Sequence, residues 1–152
     1  MRRMGSKVNG MYSDGPVGLA TVAPDPLCDP SILRAVSVSV LVVEDAWHVA
    51  KAMKGVLEQL GMNVLGPAAT MVEARRLLAA QRPLAALVDV NLRGEMAWDL
   101  IDELREQNVE VVVMSGYALP DTSRGRPLTH LQKPFDAAEL MAALCAIVGN
   151  SS

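Results

Sequence analysis

The chain has 152 residues, 51% of them hydrophobic and 20% charged, with a formal net charge of -3. That composition predicts a globular domain with its own core, gives no basis for general nucleic-acid or membrane-surface binding, and holds no uncharged apolar run near the ~18 residues of a membrane span. The two cysteines, Cys28 and Cys145, fit no metal-ligand spacing, build no disulfide framework and point to a reducing, cytoplasmic setting.

Residues 1–36 carry scattered Gly and Pro (Gly5, Gly10, Pro16, Gly18, Pro24, Pro26, Pro30) with no sustained period, and read as a flexible tail. Arg2 and Arg3 could open a signal peptide, but the apolar piece at 17–23 is short and interrupted by Gly18 and Thr21. From Val38 the pattern changes. Residues 38–43 are apolar and largely β-branched, as in a strand buried on both faces of a parallel sheet, and the run ends in two acids, Glu44 and Asp45. Val49, Met53, Val56, Leu57 and Leu60 then recur at helical spacing. A second strand is expected at 63–66, opened by Gly61 and closed by Pro67. Thr70 with Glu73 gives a capping-box signature for a helix carrying Leu77 and Leu78.

Residues 84–88 form a third predicted strand, again ending in an acid, Asp89. A helix over about 95–107 follows, with Ala97, Leu100, Ile101 and Leu104 on its apolar side. Residues 109–114 make a fourth strand, ending at Ser115-Gly116-Tyr117. Pro120, Gly125 and Pro127 leave room for about one helical turn before a fifth strand at 128–131 and Lys133-Pro134-Phe135. Asp136 with Glu139 caps a last helix bearing Leu140, Leu144, Ile147 and Val148, which Gly149 should end. Five alternating strand–helix units predict an α/β, doubly wound parallel sheet with right-handed crossovers. The domain is expected at 37–150, with no second domain after it in the sequence.

In such a sheet ligands bind at the carboxyl ends of the strands. There the pattern places Glu44 and Asp45, Asp89, Ser115 and Lys133. Each has an ordinary reading alone: a helix-start acid, a cap, a turn hydroxyl, a surface cation. Together they bring three carboxylates to one edge, where each pair at ~4–5 Å repels by roughly 3–4 kcal/mol at an effective dielectric near 20. One lysine does not offset that. A hard divalent cation does, and carboxylate, carbonyl and water ligands suit Mg²⁺. A metal, a lysine and a hydroxyl around a carboxylate suit a phosphoryl group, with the carboxylate as its acceptor.

Leu41-Val42-Val43-Glu44-Asp45, Asp89-Val90-Asn91, Ser115-Gly116 and Leu131-Gln132-Lys133-Pro134-Phe135 resemble, in order and spacing, the receiver domain of bacterial two-component response regulators. The resemblance implies a flavodoxin-like fold with five strands in the order 2-1-3-4-5. It implies Asp89 as phosphoacceptor, taking its phosphoryl group from a histidine kinase or a histidine phosphotransfer protein. It implies Mg²⁺ held by Asp45, Asp89 and the backbone carbonyl of Asn91, with Glu44 acting through water. Ser115 and Lys133 would bind the phosphoryl oxygens, and Lys133-Pro134 would be cis. Such a module accepts phosphate and signals through an unknown downstream protein rather than working as an enzyme on small substrates.

Two departures stand out. The family's aromatic switch position, three before the lysine, holds His130, and the short segment after Ser115 implies a shortened fourth helix. Val113-Met114-Ser115-Gly116-Tyr117 resembles the Phe-Ala-Thr-Gly-Tyr-like motif of single-domain alphaproteobacterial receivers in its second half, which implies a phosphorelay role without an attached output domain. Tyr117 is expected to cover the phosphoryl site and take over the switch role, and Trp47, ahead of the helical period, to be an exposed partner contact. The competing reading is a small-molecule phosphatase or phosphotransferase with an aspartate nucleophile, of the haloacid dehalogenase type. In that group the nucleophile precedes the acid pair; here the acid pair comes first.

Overall fold

The computed structural model describes residues 38–119 and 128–150. Its main sheet has five parallel strands: β1 (Ser39–Val43), β2 (Asn63–Ala68), β3 (Ala85–Asp89), β6 (Glu110–Ser115) and β7 (Thr129–Gln132), side by side in the order β2-β1-β3-β6-β7. Counting these five alone, the order is the expected 2-1-3-4-5. A two-stranded antiparallel hairpin, β4 (Asn91–Leu92) with β5 (Glu95–Met96), follows β3. The helices are α1 (Trp47–Gln59), α2 (Met71–Ala80), α3 (Trp98–Glu106) and α4 (Ala137–Asn150).

The strands are apolar on both faces because both faces are covered. Leu41, Val43, Ala86, Val88, Val111 and Val113 point to one side, where Met71 and Ala74 of α2 and Leu100, Ile101 and Leu104 of α3 close over them. Their alternates Val40, Val42, Ala85, Leu87, Val112 and Met114 meet Met53 and Leu57 of α1 and Leu140, Leu144 and Ile147 of α4. All five residues of β3 are buried. This period-two division explains why the sequence shows unbroken apolar runs instead of alternation.

The predicted caps form. Glu73 N–H donates to Thr70 Oγ1 at 3.1 Å while Glu73 Oε1 accepts from Ala69 N–H at 2.8 Å. Asp136 and Glu139 exchange the reciprocal pair at 2.8 and 3.2 Å. α4 nevertheless runs through Gly149 to Asn150, because a glycine lowers helix propensity without forbidding another residue.

Pro67 also does not close β2, which continues to Ala68 with a cis Gly66-Pro67 bond. β2 is an edge strand, where a missing N–H costs no ladder bond. Gly66 sits at φ 93°, and a Cβ there would stand 2.7 Å from Ala68 N.

The third helix starts at Trp98 rather than near 95, since 91–96 fold into the hairpin. Its Arg93-Gly94 turn has positive φ at both positions, 55° and 89°, as a tight two-residue turn between antiparallel strands requires. The expected tail at 1–36 and the shortened helix before 128 lie outside the described residues. No helix among the described residues is long and apolar enough to cross a membrane.

Leu87, fully buried at the centre of β3, sets the first test: Leu87→Ala is expected to lower stability by about 2–5 kcal/mol in urea denaturation, and an unchanged midpoint contradicts this core.

Candidate functional site

β1, β3, β6 and β7 end at one edge and deliver the site. Glu44 and Asp45 follow β1, Asp89 is the last residue of β3, Ser115 the last of β6, and Lys133 follows β7. Glu44, Asp89 and Ser115 are buried and Asp45 is half-buried. Glu44, Asp45 and Asp89 each offer one oxygen within 4.8 Å of the others.

Lys133 ties the cluster together. Its Nζ donates to Glu44 Oε1 at 2.5 Å and to Asp89 Oδ2 at 2.7 Å. Its backbone N–H donates to Ser115 O at 2.7 Å, which locks the β7 end to the β6 end. The remaining oxygens are also held: Ala46 N–H donates to Glu44 Oε2 at 3.1 Å, and Asn91 N–H to Asp89 Oδ1 at 3.0 Å. The β4–β5 hairpin fixes Asn91, whose Oδ1 accepts from Gly94 N–H at 2.7 Å.

Burial raises the Glu44 pKa above its ordinary value; the Lys133 hydrogen bond and the Ala46 amide oppose this, and the Asp89 charge adds to it. Burial acts to lower Lys133, but its hydrogen bonds to Asp89 and Glu44 and their charges outweigh that and raise it. Among the described residues Lys133 is the one cation hydrogen-bonded to the three carboxylates, and it reaches two of them, so the donor set fits a hard divalent ion such as Mg²⁺.

Ser115 is engaged away from the carboxylates. Its hydroxyl donates to the Tyr117 carbonyl, and its Oγ lies 2.7 Å from His130 Nε2. Three residues singled out separately in the sequence, Ser115, Tyr117 and His130, thus form one hydrogen-bonded unit. Tyr117 itself is 49% exposed and Trp47 is 72% exposed, as expected of residues on the rim. Lys133-Pro134 is cis, as expected.

Sequence reasoning missed Arg93. Its Nε lies 3.8 Å from Asp45 Oδ2. The only sequence signal was the Arg93-Gly94 pair, a hairpin turn that brings residues after Asp89 back over the site.

The comparisons agree with this geometry. A family model described as the response regulator receiver domain matches residues 40–145, and the chain belongs to that family. It is 31% identical over 114 residues to the photosynthetic apparatus regulatory protein RegA of Cereibacter sphaeroides, covering 71% of this chain and 61% of RegA. It is also 31% identical over 111 residues to the phyllosphere-induced regulator PhyR of Methylorubrum extorquens, covering 69% of this chain and 41% of PhyR. The chain thus spans less than two thirds of either regulator. The solution structure of SdrG from Sphingomonas melonis superposes with a TM-score of 0.63 at 30% identity, covering 73% of this chain and 96% of SdrG. The chain is a CheY-like receiver of two-component signalling, a family of regulatory phosphoacceptors rather than ordinary enzymes.

The raised Glu44 pKa has a definite sign. A carboxyl whose folded pKa exceeds its ordinary value of 4.5 favours folding most below that value, and the contribution is lost as pH rises through the folded pKa. With divalent ions chelated, Glu44→Gln is therefore expected to raise the Tm at pH 7. The gain should shrink as the pH approaches 4.5. A Tm that falls at pH 7 contradicts the reading of Glu44 as a destabilised buried charge.

Proposed function

We propose that the chain accepts a phosphoryl group on Asp89, with Mg²⁺, from a phosphohistidine on a histidine kinase or histidine phosphotransfer protein, and signals through a protein contact that depends on that group. The observation that carries this reading is the Lys133 ammonium 2.7 Å from Asp89 Oδ2, inside a cluster of three carboxylates at the sheet edge. An Asp89 oxygen forms the new O–P bond as the donor's P–N bond breaks and the imidazole nitrogen keeps the electron pair. Glu44, Asp45, Asp89 and the Asn91 carbonyl would hold Mg²⁺, which supplies charge neutralisation to the phosphoryl oxygens. Lys133 adds a second positive charge, and Asn91 N–H orients the acceptor carboxylate. Positioning and charge are most of what phosphoryl transfer needs.

The readout follows from Ser115. To reach a phosphoryl oxygen its hydroxyl has to give up the Tyr117 carbonyl, and His130 then loses the oxygen beside it. Tyr117 and His130 would so register the state of Asp89 and stand in for the missing aromatic switch, with exposed Trp47 as a partner contact. We assign residues 37–150 to the receiver and 1–36 to a tail, with a cytoplasmic role in a phosphorelay. An alphaproteobacterial receiver subgroup is supported by Ser115-Gly116-Tyr117 and by the likeness to PhyR and SdrG.

Incubation with acetyl phosphate and Mg²⁺ is expected to add one phosphoryl group by intact mass. Asp89→Asn and chelation should each abolish the gain, and labelling that survives Asp89→Asn removes Asp89 as acceptor. Tyr117→Ala is expected to change the dephosphorylation rate several-fold; an unchanged rate together with an unchanged partner affinity removes Tyr117 from the readout.

A further inference from the structure

A second cavity adjoins the carboxylate cluster. It has a volume of about 310 Å³ and is lined by Glu44, Asp45, Trp47, Lys51, Lys54 and Arg93, together with small residues of α1 and the β2–α2 turn. Asp89, Ser115 and Lys133 do not line it, so it meets the phosphoacceptor cluster only through the shared carboxylates Glu44 and Asp45.

Three cations face two carboxylates here, and the cations are poorly neutralised. Among the described residues, neither Lys51 nor Lys54 is within ion-pair distance of a carboxylate. The Lys51 ammonium instead lies over the Trp47 ring, 4.8 Å from its centroid. Lys54, one helical turn further along α1, is half-buried and lines the same cavity. Arg93 reaches Asp45 only loosely, at 3.8 Å, from an exposed position. Glu44 already gives one oxygen to Lys133. A divalent ion on Glu44 and Asp45 would cancel the negative wall and leave the cavity strongly positive.

The geometry points to a metal-dependent anion subsite for a small dianionic phosphate monoester, held by Lys51, Lys54 and Arg93 beside Trp47. The volume lies at the lower end of small-molecule pockets, roughly 300–1,000 Å³, which suits a short phosphate ester and is too small for a nucleoside triphosphate. Arg93 supplies a planar fork for phosphate oxygens and the lysines supply point charges. The subsite rests on the metal-binding reading of the carboxylates. It places a second phosphate-sensing position next to the phosphoacceptor, by which a phosphorylated metabolite would tune the same metal centre.

The test is calorimetric titration of the full chain with glycerol 3-phosphate, with and without saturating Mg²⁺. The expected result is one site with a Kd below about 1 mM in Mg²⁺, weaker by at least about tenfold in chelator and in the Lys51→Ala/Lys54→Ala double variant. Both lysines are on the helix surface, and the double variant should still label on Asp89 with acetyl phosphate. Absence of saturable heat overturns the subsite, as does equal affinity in chelator or in the double variant. Binding lost in Asp89→Asn but kept in the double variant overturns it too, by moving the ligand into the phosphoryl pocket. Failure of acetyl phosphate to label the unmodified chain strikes the phosphoacceptor reading instead, so the two failures are distinguishable.

Discussion

One lysine joins three ends of this fold. Lys133 Nζ reaches Glu44 at the end of β1 and Asp89 at the end of β3, while its own backbone is hydrogen-bonded to Ser115 at the end of β6. Glu44 and Asp89 are buried, and a buried carboxylate without a cation costs several kcal/mol. The sheet therefore cannot bring its acids together without bringing the lysine with them. That one contact fixes the distances on which any chemistry at the edge depends.

The rest of the architecture serves to hold that edge. β3 is the central strand, buried throughout, and it carries Asp89 at its tip. β1 and β6 flank it on either side, and two helices cover each face. A strand so enclosed cannot shift along its neighbours without turning its whole apolar set over. The β4–β5 hairpin adds a smaller constraint: it returns the chain over the site, presents the Asn91 amide to Asp89, and leaves Arg93 beside Asp45.

Around this rigid centre lies a softer rim. The Ser115 hydroxyl is bonded to Tyr117 and lies beside His130, not to the acids, and Trp47 and Tyr117 are open to solvent. The carboxylates are tied by Lys133, whereas the Ser115 hydroxyl is held by partners outside the cluster. The charge balance divides in the same way. Lys133 pairs with Glu44 and Asp89, while Lys51, Lys54 and Arg93 line the neighbouring cavity with Glu44 and Asp45.

The five strands, their order of use and the acids, hydroxyl and lysine at their ends were legible in the sequence, because an apolar β-branched run that stops at a charge marks both a buried strand and its exposed tip. The helix caps were legible for the same local reason. Three features were not. Pro67 read as a strand end, since only the sheet order reveals β2 as an edge that tolerates it. The β4–β5 hairpin was too short for periodicity to detect, and with it went Arg93. The meeting of Ser115 with His130 depends on two neighbouring strands coming into register, with Val113 beside His130 and Ser115 beside Gln132, and no local pattern carries that. Sequence determined which groups stand at the edge, through propensity and burial; tertiary structure decided which of them touch, because register and turn geometry are settled only when the strands pair.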